Sequence, residues 1–337
     1  MTPPPVKLEA AFASLPEGST EALTVRSEVP AGLVVTPEAV ERARDFARAA
    51  RSEATRRAYA SDWAHFCDWC EAHHGQPLPA GAATVALYLG ELADQGFRPS
   101  TIERRLAAIA EAHRAARLPS PRSDANVRAV VKGIRRKLGV AQKQAKPLLP
   151  PDLRAIVSRL PEGPQGVRDR ALLLLGFAGA FRRSELAGLN VGDLDVGDDG
   201  VTVTLRRSKT DQEGAGRKVG VPFGSDKATC PVRAVRAWLD LLGESARGPL
   251  FRRVDRWGTV GKGRMTGQAV WRIVRRIAGD DFSGHSLRAG LATAAAKAGK
   301  SALAIQKQTG HKSIAMVARY VRDAKLFDDN AASGIGL

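Results

Sequence analysis

The sequence is poor in cysteine, with only Cys67, Cys70 and Cys230 among its 337 residues. Three thiols cannot pair completely, which excludes a disulfide-stapled scaffold and predicts a reducing compartment. Long apolar runs are also lacking, because the longest, from Ala171 to Phe181, is about half of the roughly 20 residues that cross a bilayer. That run predicts a buried helix instead. Met1 to Glu9 have no basic start followed by an apolar stretch, so we expect no signal peptide and a cytoplasmic location.

Acidic residues are in the minority, with 35 Asp and Glu against 52 Lys and Arg, a net charge of +17. The excess is concentrated, since Arg98 to Lys146 contain 13 basic and 3 acidic residues and therefore carry +10 of it. Such a segment predicts a polyanionic partner such as nucleic acid. A basic enzyme without that specialisation is the alternative that composition alone leaves open.

Composition and patterning divide the chain into segments. The first is rich in Pro, Gly, Ser and Glu, which is typical of disorder, and Thr36-Pro37 then starts a helix. We predict a mainly α-helical protein with a small antiparallel β-sheet in its C-terminal domain. The segments are a disordered leader (1–35), a helical first domain (36–138), a basic linker (139–150), a second domain (151–322) and a C-terminal tail (323–337).

Helical periodicity is clearest in the first domain. An apolar stripe of Tyr59, Trp63, Phe66 and Cys70 falls on one helix face. A later helix is predicted to open at Ser100 with a capping box, and its apolar spacing makes His113 a core residue. Two sets of residues, all basic except Thr101, are candidates for DNA contact. A basic helix face exposed only to solvent would have the same composition. The two sets are Arg98, Thr101, Arg104 and Arg105 at the exposed start of that helix, and Arg135, Arg136 and Lys137 further on.

The second domain contains alternating residues at 201–205 and 218–222, which predict a β-hairpin. From Cys230 we expect helices to the C-terminus. Basic and aromatic side chains suited to a phosphate are distributed along this domain, each of them weak evidence alone. Their order is Arg182, Lys209, His285, Arg288, His311 and Tyr320.

Local patterns place several of these six side chains. Arg182 follows the buried apolar run, where it could simply pair with Glu185. His285 and Arg288 are three residues apart and share a face of a helix capped near Ser283. Lys209 lies at the end of the first strand, where a hairpin turn could bring its amine to a phosphate.

His311 and Tyr320 are nine residues apart, two and a half turns of an unbroken helix, and would point in opposite directions. They can converge only if the chain breaks between them. Gly310 and the following residues offer that break, with Ser313 as the cap of a short helix carrying Tyr320.

Together these residues resemble the tyrosine recombinase, or phage integrase, family. The sequences around Arg182, around His285 with Arg288, and around His311 resemble the three signature boxes of that family, followed by Tyr320. Upstream, Ser52-Glu-Ala-Thr, the Trp-containing helix, Pro99-Ser-Thr-Ile and Gly133-Ile-Arg-Arg-Lys resemble the core-binding domain of its Cre-like members.

The resemblance implies a site-specific recombinase that cuts and rejoins double-stranded DNA at specific sites through a 3′-phosphotyrosine and a Holliday junction, without metal, ATP or another cofactor. It implies a nucleophilic Tyr320, a general acid at Lys209 and proton transfer by His285. Arg182, Arg288 and His311 would stabilise the transition state, while Glu185 would orient the arginines. By the same resemblance, residues 36–138 would be a core DNA-binding domain and residues 151–322 the catalytic domain, which together form a two-domain DNA clamp. The expected assembly is a homotetramer on two sites, formed from monomers or dimers on each site, with the tail (323–337) docked on a neighbouring protomer and with no membrane partner.

Three other interpretations of the sequence compete with this one. A zinc site at Cys67, Cys70, His73 and His74 is disfavoured because all four lie in one predicted helix. A telomere resolvase or type IB topoisomerase-like enzyme would use a similar set of side chains, but the Cre-like first domain argues against both. A non-catalytic DNA-binding protein of the same fold would be expected to lack a nucleophile or an arginine, and none is missing.

Overall fold

The structure is a computed structural model that describes residues 36–140, 146–206 and 216–324. The described residues form two compact units, one in the part of the chain up to 142 and one from 143 onwards. Lys209, the predicted leader and most of the predicted tail lie outside the described residues. None of the helices in the described ranges is both long and apolar enough to cross a membrane.

The first unit is helical throughout its described part, as predicted. Its first helix begins where expected, because the Thr36 hydroxyl accepts a hydrogen bond from the Ala39 amide and Pro37 occupies the first helical position. The fourth helix begins at Pro99, one residue before the predicted start, and lacks the predicted capping box. The five helices are α1 (Pro37–Ala49), α2 (Glu53–Ala72), α3 (Ala82–Asp94), α4 (Pro99–Ala115) and α5 (Ala125–Leu138).

The core of this unit forms around the predicted stripe of α2. Trp63, Phe66 and Cys70 are buried there against apolar residues of α3, α4 and α5. His113 is fully buried, and its Nε2 accepts a hydrogen bond from the Ala80 amide at 2.9 Å. The prediction that His113 is a core residue is therefore confirmed.

The second unit combines helices with two small antiparallel sheets. Its helices are α6 (Pro150–Val157), α7 (Pro164–Ala178), α8 (Arg183–Gly188), α9 (Pro231–Leu242), α10 (Gly267–Ala278), α11 (Gly284–Lys297), α12 (Ala302–Thr309) and α13 (Ile314–Ala324). One sheet has the order β1 (Leu194–Val196), β2 (Gly200–Leu205), β3 (Arg217–Pro222), and the other pairs β4 (Arg252–Val254) with β5 (Val260–Arg264).

The predicted hairpin corresponds to β2 and β3, where Leu205 pairs with Arg217 and Val203 with Val219. The expectation of helices only after Cys230 was wrong, because β4 and β5 interrupt them. These strands are three and five residues long and rich in arginine, lysine and glycine, so they lack the apolar alternation that identifies a strand.

Helix α7 lies at the centre of the second unit. Its residues Leu172 to Leu175 are all buried, which confirms that the long apolar run is a core helix. It packs on α9 and α11, and the sheet contributes Val203 and Val221 to the same core. The last residue of α7, Ala178, therefore leads the chain from a rigid core towards Arg182.

The segment before α6 packs on the start of α11. The Lys146 amide donates to the Asp281 carbonyl, and the Leu148 amide donates to the Ser286 carbonyl at 3.0 Å. Leu148 is fully buried. Gly290 makes this approach possible, because a Cβ at that position would lie 1.9 Å from the Leu148 oxygen. The end of the predicted linker is thus part of the second unit.

Candidate active site

Three chain segments bring five of the six predicted side chains together. Arg182 precedes α8, His285 and Arg288 lie on the first turns of α11, and the α12–α13 region supplies His311 and Tyr320. The Tyr320 hydroxyl is hydrogen-bonded to His285 Nε2 at 3.0 Å. The rings of His311 and Tyr320 have centroids 5.9 Å apart.

Glu185 fixes the position of Arg182. One oxygen of this buried carboxylate accepts from Arg182 Nη1 at 2.6 Å, and the other accepts from the Arg182 backbone amide at 2.8 Å. Both bonds form because Arg182 is the N-cap of α8 and Glu185 lies three residues later. The carboxylate therefore orients the guanidinium and also stabilises the start of the helix.

Arg288 is the most deeply buried of the cations of the site that the structure describes, with 1% of its surface exposed. Its Nη1 donates to the carbonyl of Ala180 at 2.9 Å. The backbone of Ala180 has a φ of +50°. Nη2 of Arg288 is buried and has no hydrogen-bond partner among the residues that the structure describes. Burial, helped by the neighbouring Arg182, lowers the pKa of Arg288 to about 10. A buried, unsatisfied donor is costly, and a bound anion would satisfy it.

Arg217 is a cation that sequence reasoning missed. This first residue of β3 donates through Nη1 to the Gln308 carbonyl at 3.1 Å, at the end of α12. Its Nη2, like that of Arg288, is buried and lacks a hydrogen-bond partner within the described part of the chain. Burial lowers its pKa, Glu185 opposes that shift and Arg182 adds to it. Only the register of the hairpin, which places Arg217 opposite Leu205, could have indicated its position.

The predicted chain break lies at Gly310, whose φ of 65° and ψ of 42° are left-handed. Helix α12 ends before it at Thr309, and α13 begins after it at Ile314, directly after Ser313. Burial, followed by the charges of Arg288 and Arg182, lowers the pKa of His311 to about 4. His311 is therefore neutral at pH 7 when the site holds no anion.

Tyr320 is held by apolar packing behind it. Its ring packs against a small buried cluster of Ala292, Ala296, Ile305 and Val317.

Burial lowers the pKa of His285, and the charges of Arg288 and Arg182 lower it further. A neutral His285 at 3.0 Å can accept the phenolic proton of Tyr320.

Gly310→Ala is expected to reduce both stability and any activity of this site. A Cβ at Gly310 would lie 2.8 Å from Arg217 Cζ, in addition to the strain of a positive φ. Gly299→Ala is the matched control, because Gly299 has a φ of +74° but open space around a Cβ. We expect the control to cost about 1–2 kcal/mol of unfolding free energy in chemical denaturation, and Gly310→Ala to cost more. Equal costs would show that the Arg217 contact is unimportant.

The structure corrects part of the predicted DNA-binding set in the first unit. Arg105 was expected at an exposed helix start, but its side chain is buried, lies 4.3 Å from the Phe97 ring centroid and contacts His65. Arg104 is exposed, yet it donates twice to the buried Asp62, at 2.7 and 2.9 Å. Arg105 is thus a core residue, because the 100° step along α4 turns it inward.

The other members of the set lie at the surface. Arg98 is exposed at the N-cap of α4, and Thr101 is half-buried in its first turn. Arg135, Arg136 and Lys137 are exposed in the last turn of α5. Arg135 and Arg136 line a groove with three further cations that sequence reasoning did not single out. These are Arg122, Arg128 and Lys132.

The disfavoured zinc ligands lie in and just after α2. Burial raises the pKa of Cys67 to about 12 and that of Cys70 to about 11, which disfavours the thiolate form. The His73 ring stacks on Trp69. Within the described ranges, no group of three or more His, Cys, Asp or Glu side chains could hold a metal ion.

Comparison with known proteins gives two family matches. Residues 146–326 match the phage integrase family, and residues 46–118 match its N-terminal SAM-like domain. A protein of Selenomonas ruminantium named integrase/recombinase xerD homolog is 40% identical over 291 residues, covering 83% of this chain and 85% of that protein. Recombinase cre of Escherichia phage P1 is 28% identical over 82% of this chain and 86% of its own.

Solved structures share the fold. XerH recombinase bound to a palindromic difH substrate has a TM-score of 0.58, covering 92% of this chain and 85% of its own at 16% identity. A lambda integrase dimer bound to a COC′ core site has a TM-score of 0.54, covering 90% and 86% at 16% identity.

These matches define a tyrosine-type site-specific recombinase with a SAM-like first domain and a catalytic second domain. The chain belongs to the phage integrase family. The predicted family and fold class are confirmed, and the Cre-like resemblance extends to XerD-named proteins.

Proposed function

We propose that this recombinase cuts and rejoins DNA through a covalent bond between Tyr320 and a 3′ phosphate. The observation that carries the proposal is the 3.0 Å hydrogen bond from the Tyr320 hydroxyl to His285, beside the buried Arg288 with its unpaired donor. The phenolic oxygen attacks phosphorus, its proton passes to His285, and the 5′ oxygen departs. The new phosphodiester replaces the broken one, so rejoining requires no ATP and no external phosphate donor.

The cations of the site support the transition state of this exchange. Arg182 and Arg288 present planar donors that match phosphate oxygens, and Glu185 holds the first of them in place. His311 lies at the edge of the same cluster. Family resemblance makes Lys209, which lies outside the described residues, the acid that protonates the departing 5′ oxygen. Side chains thus supply the positive charge that stabilises the phosphate in the transition state, and no metal enters this mechanism.

The partner we propose is double-stranded DNA carrying specific recombination sites. Two structural neighbours, XerH and lambda integrase, are named as bound to DNA sites. The basic groove on α4 and α5 and the exposed Arg98, with Thr101 beside it, supply a surface of the required charge. We further propose a homotetramer on two sites, built from one or two copies per site, that exchanges strands through a Holliday junction. Acting on DNA, it would work in the cytoplasm.

Affinity for DNA is expected to fall steeply with salt, and Arg136→Ala should lower the slope of log K against log salt by about 1. Arg136 is exposed and lines the basic groove. Arg114→Ala is the control, because Arg114 at the end of α4 already pairs with Glu111. Fluorescence anisotropy over a salt series measures both slopes. An unchanged slope in Arg136→Ala would remove this groove from the DNA surface.

We propose that the C-terminal tail joins neighbouring protomers. Its Leu326 and Phe327 are apolar residues just beyond α13, outside the described residues. The second unit has an apolar groove lined by Leu153, Leu174 and Phe177, which offers a receptor. Truncation after Arg322 should therefore prevent assembly on two sites. Intact assembly and recombination in the truncated protein would eliminate the tail as a connector.

The decisive experiment traps the covalent intermediate. Purified protein is incubated without metal or ATP with DNA from its own genomic neighbourhood that carries a nick beside candidate sites. A denaturing gel then reveals protein attached to DNA, and peptide mapping locates the attachment. An adduct through Tyr320 supports the proposal. Tight binding without an adduct on any fragment favours a non-catalytic DNA-binding protein. Relaxation of any supercoiled plasmid, without paired sites, would indicate a topoisomerase instead.

A further inference from the structure

Thr309, the last residue of α12, holds the catalytic-site histidine two residues later. Its hydroxyl Oγ1 lies 2.7 Å from His311 Nδ1 and 2.7 Å from the Ile305 carbonyl oxygen. Thr309 is fully buried, and His311 is buried with 8% exposure. Both contacts are short, so the hydroxyl bridges the imidazole and the helix backbone.

The direction of these two hydrogen bonds follows from the groups involved. A carbonyl oxygen can only accept, so the single Thr309 hydroxyl proton is donated to Ile305. The Thr309 oxygen must then accept from His311, which places a proton on Nδ1. A neutral His311 therefore carries its lone pair on Nε2. Among the described residues, Nε2 takes part in no hydrogen bond with the protein, so it is the nitrogen available to a ligand.

A phosphate oxygen and a neutral Nε2 are both acceptors, and two acceptors cannot share a hydrogen bond without a proton between them. We propose that Thr309 is a positioning residue that fixes the Nδ1–H tautomer of His311, so that contact with a phosphate requires uptake of one proton from solvent at Nε2. This inference rests on the proposed function, because it takes the ligand to be the DNA phosphate attacked by Tyr320.

The charges around His311 determine when that proton is taken up. Arg288 and His285 face it from α11, Arg182 from the N-cap of α8 and Arg217 from β3, while the Tyr320 ring approaches from α13. The adjacent Lys312 is exposed. Burial and these neighbouring charges hold the pKa of His311 near 4. A bound anion raises the pKa of His311, because its negative charge stabilises the protonated ring. Since the bound state holds more protons, anion affinity rises as pH falls.

The test uses inorganic sulfate as a probe, since sulfate has the shape and charge of a phosphate but does not titrate near neutral pH. Protein labelled with ¹⁵N at its six histidines is observed by NMR, and His311→Asn assigns the His311 signals. We expect the free protein at pH 7 to show a neutral His311 protonated at Nδ1. Sulfate should convert that ring to the doubly protonated form. Its affinity should fall about tenfold per pH unit above the free pKa until the bound pKa is reached.

Two variants separate the tautomer from general damage to the fold. Thr309→Val removes the acceptor for Nδ1–H, so the neutral ring can adopt the Nε2–H form and donate to sulfate without a proton. We expect the pH slope of sulfate affinity to fall by about one proton in Thr309→Val. Thr309→Ser retains the hydroxyl and should restore both the Nδ1–H signal and the slope.

Each outcome addresses a distinct claim. A free protein with His311 protonated at Nε2, or a Thr309→Val slope equal to that of the wild type, would overturn the role of Thr309. Sulfate bound with His311 still neutral would overturn the linked proton uptake. Absence of sulfate binding, with the Nδ1–H tautomer present, would overturn the linked phosphate contact and count against the proposed function as well. The covalent-adduct experiment then shows whether the proposed function itself fails.

Discussion

Tyr320→Phe is expected to abolish the covalent protein–DNA adduct while leaving DNA affinity within about twofold of the wild type, a difference below roughly 0.5 kcal/mol. The substitution removes only the phenolic oxygen, and the ring can keep its packing against Ala292, Ala296, Ile305 and Val317. Without that oxygen no phosphotyrosine can form. A denaturing gel measures the adduct, and an anisotropy titration on the same DNA measures affinity.

The other two tyrosines of the chain provide matched controls. Tyr59 is half-buried beside Arg51, and the Tyr88 hydroxyl is hydrogen-bonded to His65 in the first unit. Tyr59→Phe and Tyr88→Phe should both retain the adduct. An adduct that persists in Tyr320→Phe would place the nucleophile elsewhere. Loss of DNA binding in Tyr320→Phe would instead give Tyr320 a structural role.

Arg288→Met is expected to lower the rate of strand cleavage by about 10²–10³-fold, the effect of removing one preorganised donor from a developing oxyanion. The same change should not destabilise the protein strongly. It removes a buried cation beside the like charges of Arg182 and Arg217, so relief of that repulsion and of the cost of burying a charge offsets the lost attraction to Glu185. Against this stands the lost hydrogen bond to Ala180, which contributes about 1 kcal/mol.

Single-turnover cleavage and chemical denaturation test the two halves of this expectation. Arg275→Met is the control, because Arg275 on α10 pairs with Asp280 at the surface and is outside the site. We expect it to change neither quantity appreciably. A large loss of stability in Arg288→Met, together with slow cleavage, would mean that Arg288 holds the fold together and is not primarily a phosphate ligand.

Local patterns in the sequence were sufficient to predict many features. The buried α7, the apolar stripe of α2, the Thr36 cap and the break at Gly310 each depend on residues within one or two turns of each other. The side chains that escaped prediction depend on distant partners. Arg217 meets the end of α12 some 90 residues later. Arg105 is an exception, because the helical period of α4 alone places it on the buried face with Ile102 and Leu106 and could have predicted its burial.

The β4–β5 hairpin shows a different limit. Its strands are held by backbone pairing and by Arg264, which donates to the carbonyls of Ala187 and Leu189 near the end of α8. Such contacts do not require a periodic apolar pattern, so the sequence contains no pattern that would indicate these two strands. Thr309 lies two residues before His311 in the sequence, but its role depends on two 2.7 Å distances in the folded protein that a sequence cannot provide.

The packing of Leu148 against α11 has a practical consequence for anyone who wishes to express the second unit alone. A fragment cut at the apparent start of α6, at Pro150, would discard a fully buried leucine and leave an open slot above Gly290. It would also release the backbone of Ser286, which lies between His285 and Arg288. The fragment should therefore begin no later than Lys146, where the family match also begins.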